Sequence, residues 1–228
     1  MYGYDVEESS EEYIINYLQA KEDFLEVNGE TFNSINAAVA AISETGTIKV
    51  INDTTLQFSG TIPSEKTVTF DLNGHTLTMT QPIINEGTLT VIDSTNTNGT
   101  IDNPKNNAIN NKGTLTIDNV TIKTTNSSVI YGSTGTGTIT LQNNPTLIST
   151  SSNGIYLDSA QKIIMESGTI EAGNVGINLN AANSKFEMND GKVTSTSYGI
   201  LYQGTGTEIT INDGEITSTT QSGIYRTS

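Results

Sequence analysis

Asp71 and His75, four positions apart in "FDLNGHTLTM", are the first residues of this 228-residue chain whose types could do acid–base chemistry. A carboxylate that orients an imidazole makes a general base, and His75 is the only histidine present. Such a base needs a nucleophile or an activated water beside it, and a single histidine without one makes no mechanism. Alternation back from Leu77 places His75 inward or at a corner. Asp71 follows the inward Phe70 and is expected at the strand end, facing solvent or the turn. The two are not expected to converge, and His75 is read as structural. A second carboxylate pair, Asp190 and Asp213, sits in two Asn-Asp-Gly turns 23 residues apart. Asp, Asn and Gly suit tight turns for their own backbone reasons, and no third acid joins the pair. With no cysteine there is no thiolate metal site. No catalytic residue, metal ligand or cofactor is therefore assigned.

Two outward arrays could bind rather than react. Tyr131, Tyr156 and Tyr225 occupy equivalent outward positions of a recurring strand, with Tyr202 beside them and Tyr198 just before it. Exposed tyrosines on a rigid sheet can stack on sugar rings or anchor a protein partner. These four, Tyr131, Tyr156, Tyr202 and Tyr225, are the candidate ligand-binding residues. The other array is Thr67/Thr69, Thr88/Thr90, Thr114/Thr116 and Thr138/Thr140, interrupted afterwards by Lys162, Lys185, Glu187 and Glu208. Threonine is a good exposed strand residue in any case, but such a plane of hydroxyls could also face ice.

The elements that position these residues are repeats. Eight segments begin with similar strands at Thr47, Thr67, Thr88, Thr114, Thr138, Lys162, Lys185 and Glu208. Their second and fourth residues are apolar, from Ile48/Val50 and Val68/Phe70 to Ile209/Ile211, which marks half-buried strands. A turn follows, then an apolar position (Leu77, Ile101, Ile122, Leu147, Ile170, Val193, Ile216), then a third (Ile84, Ile109, Ile130, Ile155, Ile177, Ile200, Ile224). Three short strands per two dozen residues describe one coil of a parallel β-solenoid. Parallel crossovers favour the right-handed sense, so the fold expected is an all-β, right-handed parallel β-helix of about eight coils. At strand spacing near 4.8 Å it makes a rod roughly 35–40 Å long.

Three regions follow. Residues 1–30 form an acidic helical segment, with Ile14, Leu18 and Leu25 on one side of a helix over Glu8 to Leu25. Residues 31–46 form an amphipathic capping helix with Phe32, Ile35, Val39 and Ile42 on one face. Residues 47–228 form the β-helix. It is expected to continue past Ser228 in a longer polypeptide, since "SGIYRTS" ends inside a third strand. The longest corner, Asp93 to Asn107, is the natural place for specific contacts.

Composition narrows the partners. Net charge is −15, and residues 1–26 carry eight acids against Lys21 alone. With no basic patch, nucleic acid and anionic membrane are unsuitable partners. No apolar run is long enough to cross a bilayer. Asn52, Asn98, Asn119 and Asn126 head Asn-x-Ser/Thr triplets, as a chain rich in Asn and Thr produces by composition.

The stretches "FNSINAAVAAISETGTIKVINDTTL", "TVTFDLNGHTLT" and "FEMNDGKVTSTSYGI" resemble the right-handed parallel β-helix repeats, pectate-lyase-like in fold, of large bacterial surface proteins of the Gram-positive type. The resemblance covers about residues 31–228. It implies an extracellular or cell-surface setting and a role in adhesion or as a stalk, with a host or environmental glycan or a surface protein as partner. It does not imply lyase activity, because one fold hosts enzymes and non-enzymes alike. A lyase would need clustered acids for calcium and a basic proton acceptor, and the only arginine is Arg226. The expected function is a non-enzymatic binding module. The alternatives are a polysaccharide lyase or hydrolase, phage-tailspike-like, with catalytic coils outside this sequence, and an ice-binding protein using the Thr-x-Thr face.

Overall fold

Alternating apolar residues in Thr- and Ile-rich segments bury one face of each strand, and stacking the segments closes three such faces around one core. The computed structural model describes residues 22–227 and is a parallel β-solenoid of about eight turns. The first sheet runs from Thr45–Val50 to Glu208–Ile211, the second from Thr54–Leu56 to Glu215–Ser218, the third from Gly60–Ile62 to Ile224–Arg226. Each strand pairs in parallel with its counterparts one coil before and after. Like residues therefore stack in columns: Leu77, Ile101, Ile122, Leu147, Ile170 and Val193 are all fully buried, one above the next.

Two registers and one corner differ from the sequence reading. In the first coil Ile48 pairs with Phe70, not Val68, so that strand is shifted by two residues. A shift of two keeps every side chain on its own face, so alternation alone could not detect it. In the second coil the inward isoleucine is Ile83, which pairs with Ile109, while Ile84 faces out. Two adjacent isoleucines leave the pattern mute. The Asp93–Asn107 corner is not one loop, because Thr100–Asn103 is a strand of the second sheet with Ile101 in the core.

The N-terminal end is covered differently from expectation. Leu25–Val27 and Glu30–Phe32 form an antiparallel hairpin, and Leu25 pairs with Val50 at the edge of the first sheet. Asn28 and Gly29 both have positive φ, as a two-residue hairpin turn with right-handed strand twist requires. Leu25 is thus a strand residue, and Phe32 belongs to the hairpin rather than to the helix. The remainder of the acidic helical segment, through residue 21, lies outside the described residues. The capping helix, α1, is Ile35–Ala41, shorter than expected. Ser34 caps its N-terminus by accepting from Ala37 N–H at 3.2 Å, and Ile35, Ala38 and Val39 are buried beneath it.

Lys66 closes the other end of α1. Its Nζ donates to Val39 O at 2.6 Å and to Ile42 O at 2.5 Å, placing a cation at the negative end of the helix, where Val39 O also accepts Ile42 N–H at 3.2 Å. Lys66→Met is expected to cost about 2 kcal/mol, from two charge-assisted bonds left unmade. A urea midpoint indistinguishable from the wild type would show that the cap is held without it.

Candidate functional site

His75 has a carboxylate partner, and it comes from the preceding coil. Its Nδ1 lies 3.0 Å from Asp53 Oδ1, which also accepts Thr76 N–H at 2.9 Å. The Thr76 N–H, then the imidazole, hold the Asp53 carboxyl below its ordinary value. The pair is open to water, with the Asp53 side chain 72% exposed. A shallow groove of about 320 Å³ runs beside Asp53, walled by Asp23, Asn52, Thr55, Thr76 and Thr78 rather than by His75. The pair staples two coils, and exposed pairs of this kind contribute little. His75→Asn is expected to lower stability by under about 1 kcal/mol; a loss of several times that in thermal or urea unfolding would contradict a merely stapling role.

Asp71 does not meet His75, but neither does it face solvent. It is 5% exposed, and its Oδ1 accepts the backbone N–H groups of Asn73 and Ser94. One coil on, Asp93 is 4% exposed and is the hub of its corner. Its Oδ1 accepts from Gly74 N, Thr95 N and Thr95 Oγ1, and its Oδ2 from Thr97 N and Gly99 N. The two buried aspartates thus organise turn backbone. Asp190 and Asp213 do the same in miniature and are exposed, each accepting from the following glycine N–H. Among the described residues no three or more of His, Cys, Asp and Glu gather as a metal site would need.

The core also holds a polar ladder that alternation could not reveal. Asn85 and Asn111 are fully buried in the third sheet, with Asn85 Nδ2 donating to Asn111 Oδ1 at 2.7 Å. Asn111 Nδ2 donates to Gln161 Oε1 at 3.0 Å, and Gln161 Nε2 donates to Asn111 O and Thr134 O. Gly132, the next residue in the column, leaves the room that Gln161 fills.

The four candidate tyrosines separate into two places. Tyr131 and Tyr156 pair across adjacent strands of the third sheet, their rings 5.6 Å apart and within 10° of parallel. Asn178 and Leu201 occupy the next two rungs of that outward column before Tyr225 appears. Tyr225 instead stacks on Tyr198 at 4.8 Å, at the far end of the rod. Tyr202 is not on the outward face. It continues the inward column of Leu157 and Leu179, packs partly buried against the core, and has the Arg226 guanidinium 6.0 Å from its ring. The sequence reading went wrong because Tyr198–Tyr202 is apolar at nearly every position, which hides the alternation.

Beside the Tyr131–Tyr156 pair lies a polar ladder. Tyr131 Oη donates to Asp158 Oδ2 at 3.3 Å, Asn180 Nδ2 donates to Asp158 Oδ1 at 2.7 Å, and Gln203 Nε2 donates to Asn180 Oδ1. Burial and then the Asp158 charge push both phenols above their ordinary value, so they remain O–H donors. Asp158, Asn180 and Gln203 each follow the end of a third strand, and only the coil register brings them together.

The threonine plane is longer than the sequence suggested. The two-residue shift in the first coil brings Thr45 and Thr47 beneath Thr67 and Thr69, making five consecutive rungs. Among the described residues none of these ten hydroxyls has a hydrogen-bond partner within the protein, whereas Thr121 Oγ1 on the second sheet donates to Asn98 Oδ1. No described helix is long and apolar enough to cross a membrane. No family model matches this chain, and no curated protein and no solved structure matches it either.

Proposed function

We propose that this chain is a non-enzymatic binding module of a secreted or cell-surface protein, a rigid rod that presents repeated outward columns to a glycan or a protein surface. What supports this is the strict parallel register of three sheets over about eight coils. A register-locked rod places outward side chains on a fixed lattice, so neighbouring weak contacts can act together. Among the described residues the buried Asp71 and Asp93 are committed to turn backbone, and the more exposed Asp190, Glu187 and Glu208 to a turn and to inter-coil staples. Beads coated with the folded protein should adhere to surfaces bearing mixed cell-wall polysaccharides or host glycoproteins, and beads coated with heat-unfolded protein should not. Equal adhesion by both would remove the reading.

The five-rung threonine plane favours a second reading, adsorption to ice. Its hydroxyls repeat at strand spacing along the rod and at every second residue across it, and none of them is drawn into the protein. The second sheet carries a similar column, Thr76, Thr100, Thr121, Thr146 and Thr169, which is what exposed strand positions alone would give. Thermal hysteresis by the purified protein, lost on Thr90→Tyr, would promote the ice reading; freezing and melting points that coincide would end it.

A further inference from the structure

We infer that Tyr131, Tyr156, Asp158, Asn180 and Gln203 form a binding site for a neutral sugar on the lateral face of the third sheet. This rests on the reading of the rod as a binding module. Rings 5.6 Å apart and nearly parallel are too distant to be superposed at van der Waals contact. A lateral offset between them would leave part of each ring face open beside the sheet. Both tyrosines are half-buried and therefore half available. The C–H face of a pyranose fits such a step, because the electron-rich ring face attracts the positively polarised hydrogens.

The polar ladder supplies the rest of the recognition. Each Asp158 oxygen has one partner from the protein, Tyr131 or Asn180, and retains acceptor capacity. Asn180 and Gln203 place amide donors and acceptors at the next two rungs. Planar carboxylate and amide groups suit vicinal hydroxyls, each of which can both give and accept a bond. Charge sets the class of sugar. Asp158 is exposed, and its negative charge acts on both rings. The base in the same corner column, Lys112, lies two coils away and is paired with Glu86 at 2.8 Å. A uronate or sialate would meet like charge without compensation, which disfavours it.

Titration calorimetry with cello-, manno- and xylo-hexaose, alongside oligogalacturonate as the anionic probe, tests the site on the whole chain. At least one neutral oligosaccharide should bind. Tyr156→Ala and Asp158→Ala should each weaken it about tenfold or more, a loss of about 1.4 kcal/mol or more. Asp213→Ala, in an exposed turn at the far end, should leave it unchanged. Asp158→Asn keeps the shape of an exposed side chain and serves where the tyrosine variant fails to fold. Absence of binding to all three neutral probes, equal binding of the galacturonate, or indifference to both Tyr156→Ala and Asp158→Asn would overturn the site. If the coated beads still adhere in that event, the wider binding-module reading stands and only this face is wrong.

Discussion

Asp93→Ala is expected to lower the unfolding free energy by about 4 kcal/mol, among the largest effects of any single surface-corner change in this chain. The carboxylate gathers five donors, four of them backbone N–H groups, onto two oxygens in a corner that is almost closed to water. Removing it leaves the Gly74 and Gly99 N–H groups without their acceptor, and each stranded donor costs roughly 1–3 kcal/mol. Asp190→Ala is the control: the same residue type in an exposed turn, bonded only to the next glycine N–H, should cost under about 1 kcal/mol. Urea midpoints for the two variants check the contrast, and equal losses would refute it.

The same carboxylate gives the protein an acid dependence. Burial alone would raise the Asp93 value, but the bonds from Thr95, Gly99 and Gly74 outweigh it and the net direction is down. A carboxyl depressed in the folded state contributes stability above its unfolded value, and that contribution fades as the pH falls through the folded one. Stability should therefore be level from neutrality to about pH 5 and decline below about pH 4. The Asp93→Ala variant should show a shallower decline over that window. A wild-type curve with the same slope as the variant would show that Asp93 is not one of the groups responsible.

Gly176→Val is the second large effect, expected to cost about 3 kcal/mol or more. A Cβ at Gly176 would lie 2.3 Å from Val193 Cγ1 and 2.5 Å from Gly199 O, so both a core side chain and the next coil's backbone would have to move. Gly154 and Gly199 meet the equivalent atoms at equivalent distances, so the constraint belongs to the corner and not to one residue. In two earlier coils Ala108 and Val129 precede the third strand and are fully buried. The corner accepts a side chain there and closes against it from Gly154 onward. Limited proteolysis should cut the variant near this corner under conditions that leave the wild type intact. Unchanged protease resistance together with an unchanged melting temperature would mean that the corner can relax.

Much of this architecture was legible because its determinants are periodic. Apolar residues at alternate positions, repeated about every 23 residues, demand stacked strands whatever else the chain contains, and the inward columns from Leu89 to Met188 lie where alternation puts them. Most of the errors fall where a physical signal is silent. A shift of two residues at Ile48 offends no face, the adjacent Ile83 and Ile84 are interchangeable by hydropathy, and Tyr202 lies in a strand without alternation. The Asn28-Gly29 hairpin was a readable turn signal that the helical reading of Glu8 to Leu25 overrode. The candidate site was half legible. Tyr131 and Tyr156 stood out as aromatics at one repeat position, but Asp158, Asn180 and Gln203 became neighbours only once the coils were in register. Buried asparagines such as Asn85 and Asn111 were invisible, because most of their partners are backbone and side-chain groups of other coils.

That the rod holds its ligand and does not cut it is the central claim, and one incubation tests it. Purified protein is mixed with a panel of end-labelled neutral and acidic polysaccharides, and both the retained fraction and the chain length of each polymer are measured. The expected result is retention of at least one neutral polymer with its length unchanged after prolonged incubation. Shortened chains, whether ending in new reducing sugars or in unsaturated ones, would contradict the account and place the chain among the enzymes.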